Sequence, residues 1–286
     1  MEEINRKILI GERALFQKED LLINECIFED GESPLKESKN IILNNTSFKW
    51  KYPLWYSKNI VLNNCVLFEM ARSGIWYTDN ITFNDCLIEA PKSFRRSNNI
   101  VLNNVSMPNA SETFWNSNNI TLNNVVAKGD YFGFNSKNVK INNFTLYGNY
   151  CFDGGSDIEI HNAKLLSKDS FWNCNNVVVY DSYICGEYLG WNSKNIKFIN
   201  CSIESLQGFC YMDNVILENC KLINTTRSFE YSSVKANIIG KIDSVVNPKS
   251  GYIKANNIDK IVLDDPKINK NEIKIEVDQW NIILIN

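Results

Sequence analysis

The chain has 286 residues, of which 44% are hydrophobic, with a formal net charge of −3 and nine cysteines. That balance gives no clustered basic surface for nucleic acid, and no apolar run reaches the roughly eighteen residues a membrane span needs. The opening stretch MEEINRKILIGERALF lacks the basic start and cleavage site of a secretion signal. An odd number of scattered cysteines suits a reducing compartment, so a cytoplasmic location is expected.

Residues 1–20 lack a repeat and are expected to cap the regular coils. From there a period of about nineteen residues takes over. Asn or Asp recurs at 40, 59, 80, 99, 119, 138, 157, 176, 195 and 214. After each of these markers apolar residues alternate with polar ones, as in Asn59-Ile60-Val61-Leu62-Asn63. A period of two means a strand with one buried face. Ile60 and Leu62 therefore head two inward columns, which Ile81 and Phe83, Ile100 and Leu102, and Ile120 and Leu122 continue.

Five residues past each marker stands another short amide or acid, including Asn45, Asn64, Asp85, Asn104 and Asn124. Asn tolerates the left-handed backbone of a corner, and stacked carboxamides hydrogen-bond along a ladder. The predicted fold is all-β: a single-stranded right-handed parallel β-helix of about twelve coils, each with three short strands. It forms one domain over 1–286, with regular coils at 21–233 and irregular C-terminal coils at 234–286. The tail NEIKIEVDQWNIILIN, 271–286, reads as a closing or self-association strand.

Cys26, Cys65, Cys86, Cys201 and Cys220 fall in one inward column and are expected to be small core residues. The single histidine, His161, is expected to be a solvated corner residue. No metal-ligand spacing or phosphate-cradling loop is present, so no metal or cofactor is expected.

The segment before each marker carries the functional signal. A buried column of Leu54, Ile75, Phe94, Phe114, Gly133, Phe152, Phe171, Gly190, Phe209 and Phe229 is followed at once by Trp55, Trp76, Arg95, Trp115, Phe134, Asp153, Trp172, Trp191, Cys210 and Glu230. A dry core rejects unpaired Arg, Asp and Glu, so the second column is expected to face outward as an aromatic strip. Trp55, Trp76, Arg95, Trp115, Phe134, Trp172 and Trp191 are the candidate ligand-binding residues. Aromatic faces suit sugar CH faces or cations. Two readings stand side by side: a groove for a glycan or another elongated small molecule, or a non-enzymatic scaffold whose strip is a homo-oligomer or protein-partner interface. Cover by the chain's own tail is a third arrangement.

Glycoside hydrolysis needs two carboxyl groups about 5–10 Å apart. Asp153, Asp169 and Glu187 are the catalytic candidates for it, while Arg95, Arg96 and Lys168 are the basic residues a lyase would call on. Neither set is specific enough to assign an enzyme class.

GERALF at 11–16, ESPLKES at 32–38, WKYPLWYS at 50–57, SGIWYT at 73–78, FWNCNNVVVYDS at 171–182, GEYLGWNSKN at 186–195 and ESLQGFCY at 204–211 extend beyond what periodicity requires. With these motifs the chain resembles, over nearly its whole length, a bacterial domain-of-unknown-function family with a pectin-lyase-like right-handed β-helix. The resemblance implies the fold and carries no catalytic residue. The Asp-rich motifs of polygalacturonases and the calcium-ligand cluster of pectate lyases are absent.

Overall fold

The computed structural model describes residues 1–278 and 283–285. They fall into two compact units, Met1–Tyr147 and Gly148–Asn286. Each unit is a parallel β-solenoid.

In the first unit the leading side of the coils is formed by Glu2–Asn5, Glu19–Asn24, Lys39–Asn44, Lys58–Asn63, Asp79–Asn84, Asn98–Met107, Asn118–Lys128 and Lys137–Tyr147. Each strand pairs in parallel with the next, so that Ile41, Ile60, Ile81, Ile100, Ile120 and Val139 stack in register. A second side is made of short strands such as Ile27–Phe28, Ser47–Phe48 and Val66–Leu67. In the last three coils the two sides run on as one strand. The second unit repeats the pattern from Ser156–Leu166 to Ile273–Val277, and Ile283–Ile285 pairs with Lys260–Val262. Of the tail, residues 279–282 and 286, including Trp280, lie outside the described residues.

The described residues form eight coils in the first unit and seven in the second, about 15 turns against the twelve expected. Residues 2–9 already form a paired rung, and the segments after 233 continue as coils whose register shifts between Glu218 and Cys220 and between Ile238 and Lys241. The first rung escapes the apolar pattern because Glu2 stands in register with buried Leu21.

The predicted corners are present. Both amide columns have left-handed backbones, with φ of 57° at Asn59, 56° at Asn64, 54° at Asn99 and 56° at Asn104. Side chains link successive coils: Asn59 donates to Asn40 at 2.8 Å, Asn80 to Asn59 at 2.9 Å, Asn64 to Asn45 at 2.8 Å and Asn124 to Asn104 at 3.0 Å. A third ladder, not foreseen, runs through the residue before the corner: Asn24, Asn44, Asn63, Asn84, Asn103 and Asn123, at 2.8–2.9 Å.

The third side differs from the strand expected there. Left-handed residues crowd it, as at Lys92, Phe94 and Arg96 with φ of 59°, 57° and 51°, and such residues interrupt extended pairing. The chain turns repeatedly while its N–H groups still bond to the next coil, as from Tyr77 to Arg95 and from Arg96 to Trp115. Inside these turns Phe94 and Phe114 stack at 4.8 Å, and Phe209 and Phe229 at 5.3 Å. Burying each phenylalanine contributes about 1.5–3 kcal/mol. Gly133 and Gly190 share the left-handed conformation, and the preceding Phe132 and Leu189 fill the core there.

Where the third side meets the leading side, a buried hydroxyl column replaces the amides: Ser57, Thr78, Ser97 and Ser117 in the first unit, Ser193 and Ser232 in the second. Ser97 donates to the Ile75 carbonyl at 3.0 Å and accepts the Thr78 N–H at 3.2 Å. The cysteine column does similar work at the first corner. Cys86 Sγ accepts the Cys65 N–H at 3.3 Å, as Thr46 accepts that of Cys26. These cysteines are buried, as expected of core residues, and also satisfy inward-pointing backbone donors.

The coil between the markers Asn59 and Asn80 is longer than its neighbours. Its extra residues form the 3-10 turn Glu69–Ala71.

Candidate functional site

The aromatic columns lie on the third side, half-buried in both units. In the first unit each indole lies along the stack. Trp55 and Trp76 are parallel within 9° at 5.3 Å. The Arg95 guanidinium then sits between two indoles, 4.7 Å from the Trp76 ring centre and 4.6 Å from that of Trp115, which is followed by Phe134 at 5.2 Å. Glu112 accepts from Arg95 Nη2 at 2.9 Å and also meets Lys92 at 3.2 Å.

The indole N–H groups are satisfied within the chain. Trp76 donates to the Lys92 carbonyl at 2.7 Å and Trp115 to that of Tyr131 at 2.8 Å, while Trp55 donates to that of Ser73. A second column runs beside the first. Tyr56 and Tyr77 stack at 4.7 Å and the Arg96 guanidinium lies 5.9 Å from the Tyr77 ring centre. From Trp55 to Trp115 the ring faces are engaged by the rungs above and below, while Trp115 and Phe134 are inclined by 48°.

The second unit is arranged differently. Trp172 and Trp191 are inclined by 35° at 6.1 Å, and Trp191 and Tyr211 by 48° at 4.7 Å. Trp172 donates its N–H to the Tyr188 carbonyl at 2.6 Å, and Tyr150 meets its ring edge-on at 5.9 Å. One coil before Trp172 the column holds Asp153, which accepts from Asn173 at 2.9 Å. The upper end of this column departs from the outward direction expected of it, because Cys210 and Glu230 are buried. Glu230 is tolerated there by Arg227 at 2.7 Å and Gln207 at 2.9 Å, since a buried charge requires partners.

The three candidate carboxyls occupy unlike settings. Asp153 is half-buried and amide-bonded. Asp169 is only 2% exposed, and burial pushes its carboxyl above the usual range against the opposing effects of Lys168 and the Tyr150 hydroxyl. Its Oδ1 has no hydrogen-bond partner among the described residues. Glu187 is tied to Lys168 at 3.2 Å. His161 is partly exposed, stacked on Tyr180 at 4.4 Å, with Nε2 at 2.8 Å from Glu159. Among the described residues no group of three or more His, Cys, Asp or Glu side chains could hold a metal ion, and no helix is long and apolar enough to cross a membrane.

A family model described as Protein of unknown function (DUF3737) matches residues 2–276. The chain belongs to this family. No curated protein matches it. Among solved structures, it is similar to the A-module of the mannuronan C-5 epimerase AlgE4 of Azotobacter vinelandii, at 10% identity over 99% of this chain and 87% of that one, with a TM-score of 0.38. It is also similar to PfbA, a surface adhesin of Streptococcus pneumoniae, at 11% identity over 86% of this chain and 69% of that one, with a TM-score of 0.27.

Proposed function

We propose that the protein binds an extended carbohydrate along the aromatic third side of its second unit, at Trp172 and Trp191. The inclination of these two indoles supports the reading, because rings 35° apart at 6.1 Å pack less closely on one another than the parallel Trp55–Trp76 pair at 5.3 Å. A sugar needs an indole face for its CH surface and nearby polar groups for its hydroxyls. Asp153, Asn173 and the Lys168–Glu187 pair supply the polar groups. Of the three candidate carboxyls, Asp169 is buried and Glu187 ion-paired, so the reading is of binding without an assigned reaction. Glycan-array binding by the wild type, lost in a Trp172→Ala, Trp191→Ala variant that keeps its fold, supports it. Unchanged array binding removes these residues from the site.

A second reading applies to the first unit, where Tyr56 is 50% exposed beside indoles whose faces are already stacked. Ring edges of that kind suit a protein interface, and a second copy of the chain is the simplest partner. Light scattering of the wild type against Trp115→Ala tests it; a monomer in both ends the interface reading.

A further inference from the structure

Two consecutive polar side chains point out of the first unit at its first corner, and at Asn44–Asn45 and Asn63–Asn64 both are carboxamides. Asn44 points outward as the last strand position, and Asn45 does so because its left-handed backbone, φ 49°, breaks the alternation. Over the first four coils the two sets of side chains line a trough of about 600 Å³. One wall is Asn5, Asn24, Asn44 and Asn63. The other begins with Arg6 and Glu25 and continues as Asn45 and Asn64.

A carboxamide offers two N–H donors and two acceptor lone pairs. Asn44 uses one donor toward Asn24 and one lone pair for Asn63, each at 2.8 Å. Asn64 spends one donor on Asn45 at 2.8 Å. Beyond the ladders, every rung therefore keeps donor and acceptor capacity in the trough its amides line. Among the described residues that line it, the charged ones are Arg6 and Glu25, joined to each other at 2.8 Å. The surface is polar and without net charge, with one carboxamide on each of its four coils and a second on two of them.

We propose that this trough binds an uncharged polyhydroxylated chain, a neutral oligosaccharide, at a site separate from the aromatic columns. Hydroxyl groups donate and accept, so they match both kinds of spare capacity on each amide. A charged ligand finds only the Arg6–Glu25 pair, whose charges already offset one another, and an apolar one would strip water from amides and give nothing back. Each hydroxyl–amide bond replaces one to water and contributes little alone, so affinity must accumulate over successive coils.

The test is a titration of the whole chain with neutral linear oligosaccharides of increasing length, followed by proton–nitrogen NMR. Side-chain NH₂ signals of Asn44, Asn45, Asn63 and Asn64 report on the trough, and indole N–H signals of Trp172 and Trp191 report on the aromatic site. The amide signals are expected to shift, with tighter binding for each added sugar unit. An Asn45→Gly, Asn64→Gly variant removes two carboxamides while keeping residues suited to left-handed corners, and should weaken trough binding by about tenfold or more. Amide signals that stay fixed at millimolar saccharide overturn the proposal, whatever the indoles do. So do an affinity independent of length, undiminished binding in the folded double variant, or preference for an anionic saccharide. Movement of the trough amides alone supports this site while counting against the aromatic one.

Discussion

The guanidinium of Arg95 lies 4.6 Å from the ring centre of Trp115, on the coil after its own. With Trp76 at 4.7 Å on the other side and Glu112 on Nη2, a charge interrupts the aromatic column without breaking its stacking. Replacing Arg95 with Ala removes two cation–π contacts and leaves a gap between indoles. A loss of about 2 kcal/mol is expected in denaturant unfolding. Arg95→Lys should recover only part of it, because an ammonium lacks the planar face that two rings can share.

The buried hydroxyl column predicts a larger effect from a smaller change. Ser97→Ala strands the Thr78 N–H inside the first unit and takes one hydrogen bond from the Ile75 carbonyl. The expected loss is about 2–3 kcal/mol, from leaving buried groups unpaired. Ser97→Thr keeps the hydroxyl and should be far milder, since Thr78 occupies the same column on the coil before. Equal losses for the two variants would point to packing rather than hydrogen bonding.

At the amide corners, conformation and hydrogen bonding separate cleanly. Asn104 has φ of 56° and links Asp85 to Asn124. Asn104→Ala should cost about 1–2 kcal/mol in backbone strain, besides the ladder bonds. Asn104→Gly relieves the strain and loses only the ladder. Thermal melts should therefore rank wild type, Gly and Ala in that order.

Asp169 gives a pH prediction. Its carboxyl is raised by burial above the ordinary value of 3.8, so between that value and its folded-state value the folded chain binds more protons than the unfolded one. Stability from this group then falls as pH rises through the window and stays lower at neutral pH. The facing groups are Tyr150 and Lys168, which oppose the shift, and Glu187, which adds to it. Asp169→Asn should raise the melting temperature at pH 7, and the gain should vanish under acid conditions below the unfolded-state value. A variant less stable than wild type at neutral pH contradicts this account.

The coil was legible because period and residue type agree at every level. Ile60 and Leu62 alternate, Asn59 and Asn64 tolerate the left-handed corners, and the pattern returns on the next coil. Ser97 went unread because a serine two residues before a marker resembles any loop serine; its role appears only when the Thr78 N–H is seen to point inward. Asn44 was hidden by its neighbour, since a single corner amide already explained the turn. The first rung was missed because Glu2 occupies a position that is apolar in the coils beyond it. The side on which Trp76 and Trp172 lie follows from their fixed distance before the markers. Their ring angles do not, since these are set by side-chain torsions and by whether the adjacent rung offers Arg95 or Asp153.

The 3-10 turn at Glu69–Ala71 shows where the circumference of a coil is adjustable. Lys58–Asn63 and Asp79–Asn84 stay in register on either side of it, and the Asn59–Asn80 and Asn63–Asn84 bonds are kept at 2.9 and 2.8 Å across the longer step. Pitch and perimeter are therefore separate properties of this chain. The ladders fix the first, and one exposed seam after Phe68 absorbs changes in the second. A foreign peptide spliced in after Glu69 would bulge outward from that seam, turning a passive stack of rungs into a display frame whose inserts ride at a set height.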